Sequence, residues 1–331
     1  MTSRAGAALL QRALDHAHAQ LADQTSGAVA NYIPALAAMP PDLFGLAALT
    51  RGGTLVEVGD SRHPFTIQSV SKPFAYALAL DLLGRRVVRQ GVGVQPVGDP
   101  FNSIELNPQT RRPFNPMINA GAIAVAGLLT EALGDQAFES LRARLSLAAG
   151  ATLMLDEEVY RSEAETGDRN RAIAYLLRAA GTFHCHPDRV VDTYFRQCAL
   201  RVTARDLAVM GGTLAAIGTN PLTGAEVFGV DAVRDTLAVM FTCGFYDGAG
   251  DWACRVGLPA KSGVGGGIVA VVNRQLGIGT FSPRLDAHGN PLRGMRACEL
   301  LSEDLGLHAF DATNTGSRLL DALSPVGADG R

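Results

Sequence analysis

Two residues three apart, Ser69 and Lys72, could together make a nucleophile. They lie in Gln68-Ser69-Val70-Ser71-Lys72, after the apolar stretch 64–67 and at the head of the apolar run 74–83. With a helix beginning near Ser69, side chains three apart share a face, and the Lys72 amine would sit beside the Ser69 hydroxyl. A serine hydroxyl attacks poorly until a base takes its proton. A desolvated lysine is one of the few side chains other than histidine that can do so. The free N–H groups of a helix start also favour negative charge developing near the reacting oxygen. Taken alone, the pair has a plainer reading, in which Ser69 caps the helix and Lys72 is solvated.

The elements around this pair must supply a dry, fixed setting for it. The chain has 331 residues, 47% hydrophobic and 18% charged, ample for a core in one large domain or two modest lobes. Its net charge is −3 and no block of like charges occurs, which argues against nucleic acid or an anionic membrane as partner. The longest uncharged apolar runs, near 120–129 and 264–272, are too short to span a bilayer. The N-terminus reads as an amphipathic helix and not as a secretory signal. Five cysteines without C-x-x-C spacing fit reduced thiols and a cytoplasmic location. His184-Cys185-His186 with Cys198 lacks a standard zinc spacing, and a packing or loop role is favoured. The glycines of 91–98 form no dinucleotide fingerprint, because Pro96 replaces the third.

Hydrophobic periodicity predicts a helix over 6–24, then strands over 43–50, 53–58 and 64–68 joined by the turns at 51–53 and 59–61 as an antiparallel meander. Helices follow over 72–83, 119–133, 135–149, 170–180, 187–200, 203–217 and 231–243. Pro187 suits a first helical turn, and Thr203 with Asp206 suits a cap. Strands return over 264–273 and 275–282, a helix spans 294–306, and 324–331 reads as a loose tail. Strands at both ends with helices between them predict an α+β protein: an antiparallel sheet flanked by helices, plus an inserted all-helical lobe. The sheet lobe would comprise 1–68 with about 235–331, and the helical lobe about 69–234. The Ser69 helix would start at their junction, where clefts form.

Further segments are too unusual for plain scaffold: Asn31-Tyr32-Ile33-Pro34, Phe114 to Ala122, Ser162-Glu163 with Thr166 to Arg171, Tyr194 with Gln197-Cys198, Cys243 to Asp247, and Pro259 to Val264. S-x-x-K is the nucleophile signature of serine β-lactamases and penicillin-binding proteins. Together with Gln68 to Lys72, in this order and spacing, these segments closely resemble the serine-dependent glutaminase family over about 20–306. That resemblance implies the β-lactamase/penicillin-binding-protein-like fold and hydrolysis of L-glutamine to L-glutamate and ammonia. It is to the short bacterial form, without the long N-terminal region and ankyrin repeats of animal members.

Carried over by position, the resemblance implies Ser69 as nucleophile, Lys72 as its proton acceptor, and Tyr246 as a shuttle passing the proton to ammonia. The Ser69 and Val264 N–H groups would form the oxyanion hole, each worth roughly 3 kcal/mol. Tyr32, Asn119, Glu163, Asn170 and Tyr194 would bind the amino-acid end of glutamine. Glu163 is the natural partner for its ammonium, and the amides and a tyrosine hydroxyl for its carboxylate. Lys261-Ser262-Gly263 resembles the third β-lactamase element, on the strand bordering the site. The family chemistry needs no metal or organic cofactor, and the family resemblance suggests a homodimer or homotetramer. One departure is Gly265, where some members have serine; the run Gly265-Gly266-Gly267 is expected to loosen the oxyanion strand. Two rival readings share these residues: a β-lactamase or D-Ala-D-Ala peptidase, and a non-catalytic amino-acid-binding module.

Overall fold

The computed structural model describes residues 2–31, 33–98 and 104–311. The N-terminal part holds helix α1 (Thr2–Leu21) and strands β1 (Gly45–Thr50), β2 (Leu55–Gly59) and β3 (Phe65–Thr66). Helices α2 (Lys72–Gly91), α3 (Asn119–Leu133), α4 (Ala137–Ala149), α5 (Glu157–Thr166), α6 (Asp168–Ala179) and α7 (Pro187–Cys198) follow. Then come β4 (Arg201–Val202), α8 (Ala204–Ala215), α9 (Val230–Cys243) and α10 (Ala249–Arg255). Strands β5 (Ala260–Ser262), β6 (Gly267–Val272) and β7 (Leu276–Phe281) and helix α11 (Leu292–Leu305) complete the described chain.

Five strands form one antiparallel sheet in the order β2-β1-β7-β6-β5. The β1–β7 pairing, with Ala47 opposite Gly279, joins the two ends of the chain as the strand distribution predicts. β1, β6 and β7 are buried at every residue, because both faces are covered. Leu46, Ala48, Ile268, Ala270 and Ile278 pack with Leu10, Leu14 and Leu301 of the terminal helices. Val269 and Val271 point the other way and join Leu207 and Met210 of α8 in the larger core. Helix α8, within the stretch 69–234, packs across the sheet against β1, β6 and β7.

Helix α3 is apolar on nearly all sides and sits in the middle of the helical layer, packed by α2, α6 and α7. A Thr203/Asp206 capping box starts α8, and Pro187 occupies the first turn of α7. His186 accepts the Asp188 N–H at 3.3 Å as the cap of α7. Among the described residues no helix is long and apolar enough to cross a membrane.

Several sequence expectations need correction. β3 does not continue the meander; it pairs with β4, Phe65 opposite Val202, across more than a hundred residues of sequence. Ser69 lies in a 3₁₀ turn, Gln68–Ser71, and the α-helix proper begins at Lys72. That helix runs past Leu83 to Gly91, broken at Gly84 by a positive φ of 77°. Helices α5 and α10 were not anticipated, and β6 starts only at Gly267. The segment 324–331 lies outside the described residues.

Glycines let α8 approach β7. A Cβ at Gly277 would fall 2.0 Å from the Gly212 nitrogen, which backbone cannot vacate cheaply. Gly277→Ala is expected to destabilise the fold by about 1–3 kcal/mol. Urea unfolding checks this as a lower midpoint at unchanged slope; an unaltered midpoint contradicts so close a seating.

Candidate active site

Ser69, Asn119, Glu163, Asn170 and Tyr194 line one cavity of about 330 Å³, with Gln68 and Arg169 beside them. They arrive from separate elements: the 3₁₀ turn before α2, the first residue of α3, then α5, α6 and α7. Tyr32 lies outside the described residues. The volume suits a single small polar molecule.

Lys72 is 1% exposed and donates to Asn119 Oδ1 at 2.7 Å and to the Met117 carbonyl at 3.2 Å. Asn119 in turn donates to Asn170 Oδ1 at 3.3 Å and accepts the Tyr194 hydroxyl at 3.4 Å. Burial pushes the Lys72 amine down to about 7, against the opposing pull of Cys198 and Glu163. Tyr246 is hydrogen-bonded to Ser69, and its buried phenol is shifted upward by desolvation. Its ring lies 5.6 Å from Lys72 Nζ. Ser69, Lys72 and Tyr246 thus meet around one phenol ring, and of the three Ser69 lines the cavity.

Glu163 is buried, and desolvation raises its carboxyl to about 8, opposed by a Gln68 hydrogen bond and by Lys72. Its Oε2 has no hydrogen-bond partner among the described residues. A buried acceptor left open in a cavity wall is suited to a cationic donor arriving from outside. Tyr194 is likewise held well above the ordinary phenol range by burial.

Val264 follows the short edge strand β5, which runs past the Ser69 turn. A Cβ at the preceding Gly263 would meet the Val70 nitrogen at 3.3 Å, so the two backbones are adjacent. Gly265 abuts the Thr66 carbonyl, where a Cβ would come within 2.3 Å. Backbone bonds from Gly263 N to Gly267 O (2.9 Å) and from Gly266 N to Gly263 O (3.0 Å) close this glycine turn.

Two features escaped the sequence reading. Lysine occurs only twice in the chain, at 72 and 261, among 29 Lys and Arg residues. Both are fully buried, and Lys261 Nζ lies 3.9 Å from the Tyr246 ring centre while donating to the Ser262 carbonyl at 2.7 Å. Burial, then Lys72, drives the Lys261 amine well below its usual range. Where charge alone is wanted this chain uses arginine, which cannot lose its proton. The rarity of lysine was the available signal. The second feature is backbone: among five non-glycine residues of positive φ in the described chain, Gln68 (48°) and Tyr246 (55°) both belong to this cluster. Such conformations concentrate at functional sites.

A family model described as Glutaminase matches residues 27–310. The chain belongs to the glutaminase family. It is 52% identical over 320 residues to Glutaminase 1 of Bradyrhizobium diazoefficiens, covering 97% of this chain and 51% of that protein. The chain thus spans about half the length of that relative and of Glutaminase 2 from the same organism. It is 48% identical to a glutaminase of Microcystis aeruginosa, over 90% of this chain and 88% of that one. Among solved structures, the probable glutaminase ybaS superposes with a TM-score of 0.87 at 40% identity, covering 92% and 98% of the two chains. Mglu in its glutamate form does so at 0.87 and 44%, covering 91% and 70%. The α+β arrangement is the β-lactamase-like fold that glutaminases share.

With both lysines buried, an amine-reactive acylating reagent should leave Lys72 and Lys261 unlabelled in the native protein and label both in denaturant. Peptide mass spectrometry reads the sites; native labelling of Lys72 contradicts the enclosure described.

Proposed function

We propose that the chain is a glutaminase that hydrolyses L-glutamine to L-glutamate and ammonia through a γ-glutamyl ester on Ser69. The observation that carries this reading is the shared position of Tyr246, hydrogen-bonded to Ser69 and lying beneath the Lys72 amine. Family membership and the cavity lined by Ser69 support it.

In this mechanism Lys72, increasingly unprotonated as pH rises through about 7, takes the Ser69 proton as Oγ attacks the carboxamide carbon. The N–H groups of Ser69 and Val264 hold the tetrahedral oxyanion. Tyr246 relays the proton to the departing nitrogen, the C–N bond breaks, and ammonia leaves. Water then attacks the ester with the same groups acting in reverse, releasing glutamate and restoring Ser69. Glu163 receives the substrate ammonium, whose arrival favours the ionised carboxylate. Asn119, Asn170, Tyr194 and Tyr32 bind the remaining head-group atoms, and a site built on such bonds rejects ligands lacking them. A cytoplasmic setting belongs to this reading, since the cysteine usage suits a reducing compartment.

Ser69→Ala should lower ammonia release from glutamine by at least about a thousandfold while glutamate still binds. An ammonia assay with calorimetry of glutamate binding decides; undiminished turnover removes Ser69 as nucleophile. Asparagine and D-glutamine serve as comparison substrates.

Two titrations shape the pH profile. Lys72 must be unprotonated and Glu163 ionised, so kcat/KM should climb as pH rises through about 7 to 8. Glu163→Gln should raise KM far more than it lowers kcat and remove the upper part of that climb. A profile flat from acid to alkaline pH, or an unchanged KM, contradicts these assignments.

A further inference from the structure

We infer that Ser71 and Gln197 are positioning residues that aim the Ser69 amide into the cavity, acting through the carbonyl of Gln68. This rests on the reading of the Ser69 N–H as an oxyanion donor.

Gln68 immediately precedes the nucleophile and holds a left-handed φ of 48°, which a residue with a Cβ adopts only when its surroundings impose it. Its carbonyl is held by a short chain of hydrogen bonds. The Ser71 hydroxyl donates to the Gln68 carbonyl at 2.7 Å, and the Gln197 amide donates to the Ser71 oxygen at 2.8 Å. All three residues are buried, and Gln197 reaches the turn from α7, one helical turn beyond Tyr194.

The direction of each bond matters. A hydroxyl has one proton, and with the Gln197 N–H on its oxygen, the Ser71 proton is left to point at the Gln68 carbonyl. The peptide joining Gln68 to Ser69 is trans, so its C=O and N–H point in opposite directions. Anchoring that carbonyl on the Ser71 side therefore turns the Ser69 N–H to the other side of the peptide plane. The same turn carries the Gln68 side chain to its hydrogen bond with Glu163.

Gln197 shows the selectivity of the arrangement. Its Oε1 is buried with no hydrogen-bond partner among the described residues, although its Nε2 is used. An amide with one end unsatisfied is a poor choice for packing alone, where methionine of similar size would do. Its donor is what the site uses. Ser71 and Gln197 are both in segments that stood out in the sequence, yet neither touches the reacting atoms in the proposed mechanism.

The test compares Ser71→Ala, Gln197→Met and the double variant in steady-state glutamine hydrolysis, with Ser69→Ala alongside. Each single change should lower kcat roughly 10- to 100-fold with KM and glutamate affinity within about two-fold, because a misaimed donor is felt in the transition state and not in ground-state binding. The double variant should be no worse than the poorer single, since both cut one chain. Single variants within about two-fold of the parent kcat, or losses of kcat matched by equal losses of glutamate affinity, overturn the inference. Should Gln197→Met not fold, Ser71→Ala, which removes one oxygen, decides on the same readout. Turnover surviving in Ser69→Ala would fail the acyl-enzyme reading instead, a result distinguishable from failure here.

Discussion

An amine kept out of water is the constraint on which the rest depends. Lys72 opens α2, where the unsatisfied N–H groups disfavour a positive charge, and it has almost no contact with solvent. Its fixed neighbours are a carbonyl and an amide oxygen, enough to hold the group and too little to replace full hydration. A second buried amine, Lys261, stands across the Tyr246 ring. Removing water in this way requires a rigid wall on every side. Met117 and Asn119 at the head of α3 and the ring of Tyr246 form part of it.

The site also concentrates backbone conformations that ordinary packing avoids. Gln68 and Tyr246 both have positive φ, and they hold the hydroxyl and the phenol that hydrogen-bond to one another. Close backbone passages at Gly263 and Gly265 bring the end of β5 against the same turn. Strain of this kind persists because the surrounding contacts over-determine it. Glu163 adds a second cost, a carboxyl in a dry wall with one oxygen unpartnered. These features weaken the free fold slightly and fit a site completed by its ligand.

Legibility in the sequence followed the range of the interactions involved. Helix α3 was read to its ends because a mostly apolar stretch stops at Gly134, a local signal. The α8 cap was visible as Thr203 and Asp206, again local. Helix α5 is short and mostly polar, and α10 has only seven residues, so neither shows a clear apolar stripe. The β3–β4 pairing was missed because its partners are distant in sequence and two residues long. Of the site, Ser69, Lys72, Asn119, Glu163, Asn170, Tyr194, Tyr246 and Val264 were named from motifs and Lys261 as part of a β-lactamase-like element, whereas Gln197 and Ser71 gained meaning only once their neighbours were known.

By itself the sequence determined which side chains could do the chemistry and where most of the longer helices and strands lie, since both are written in residue type and short-range spacing. The tertiary structure alone decided that Lys72 is dry, that Gln68 takes a left-handed turn, and that an amide from α7 donates to a hydroxyl two residues past Ser69. Those outcomes depend on what each group meets from elements far away in the chain. Dielectric environment, strain and hydrogen-bond direction are properties of that meeting, and no single stretch of residues contains them.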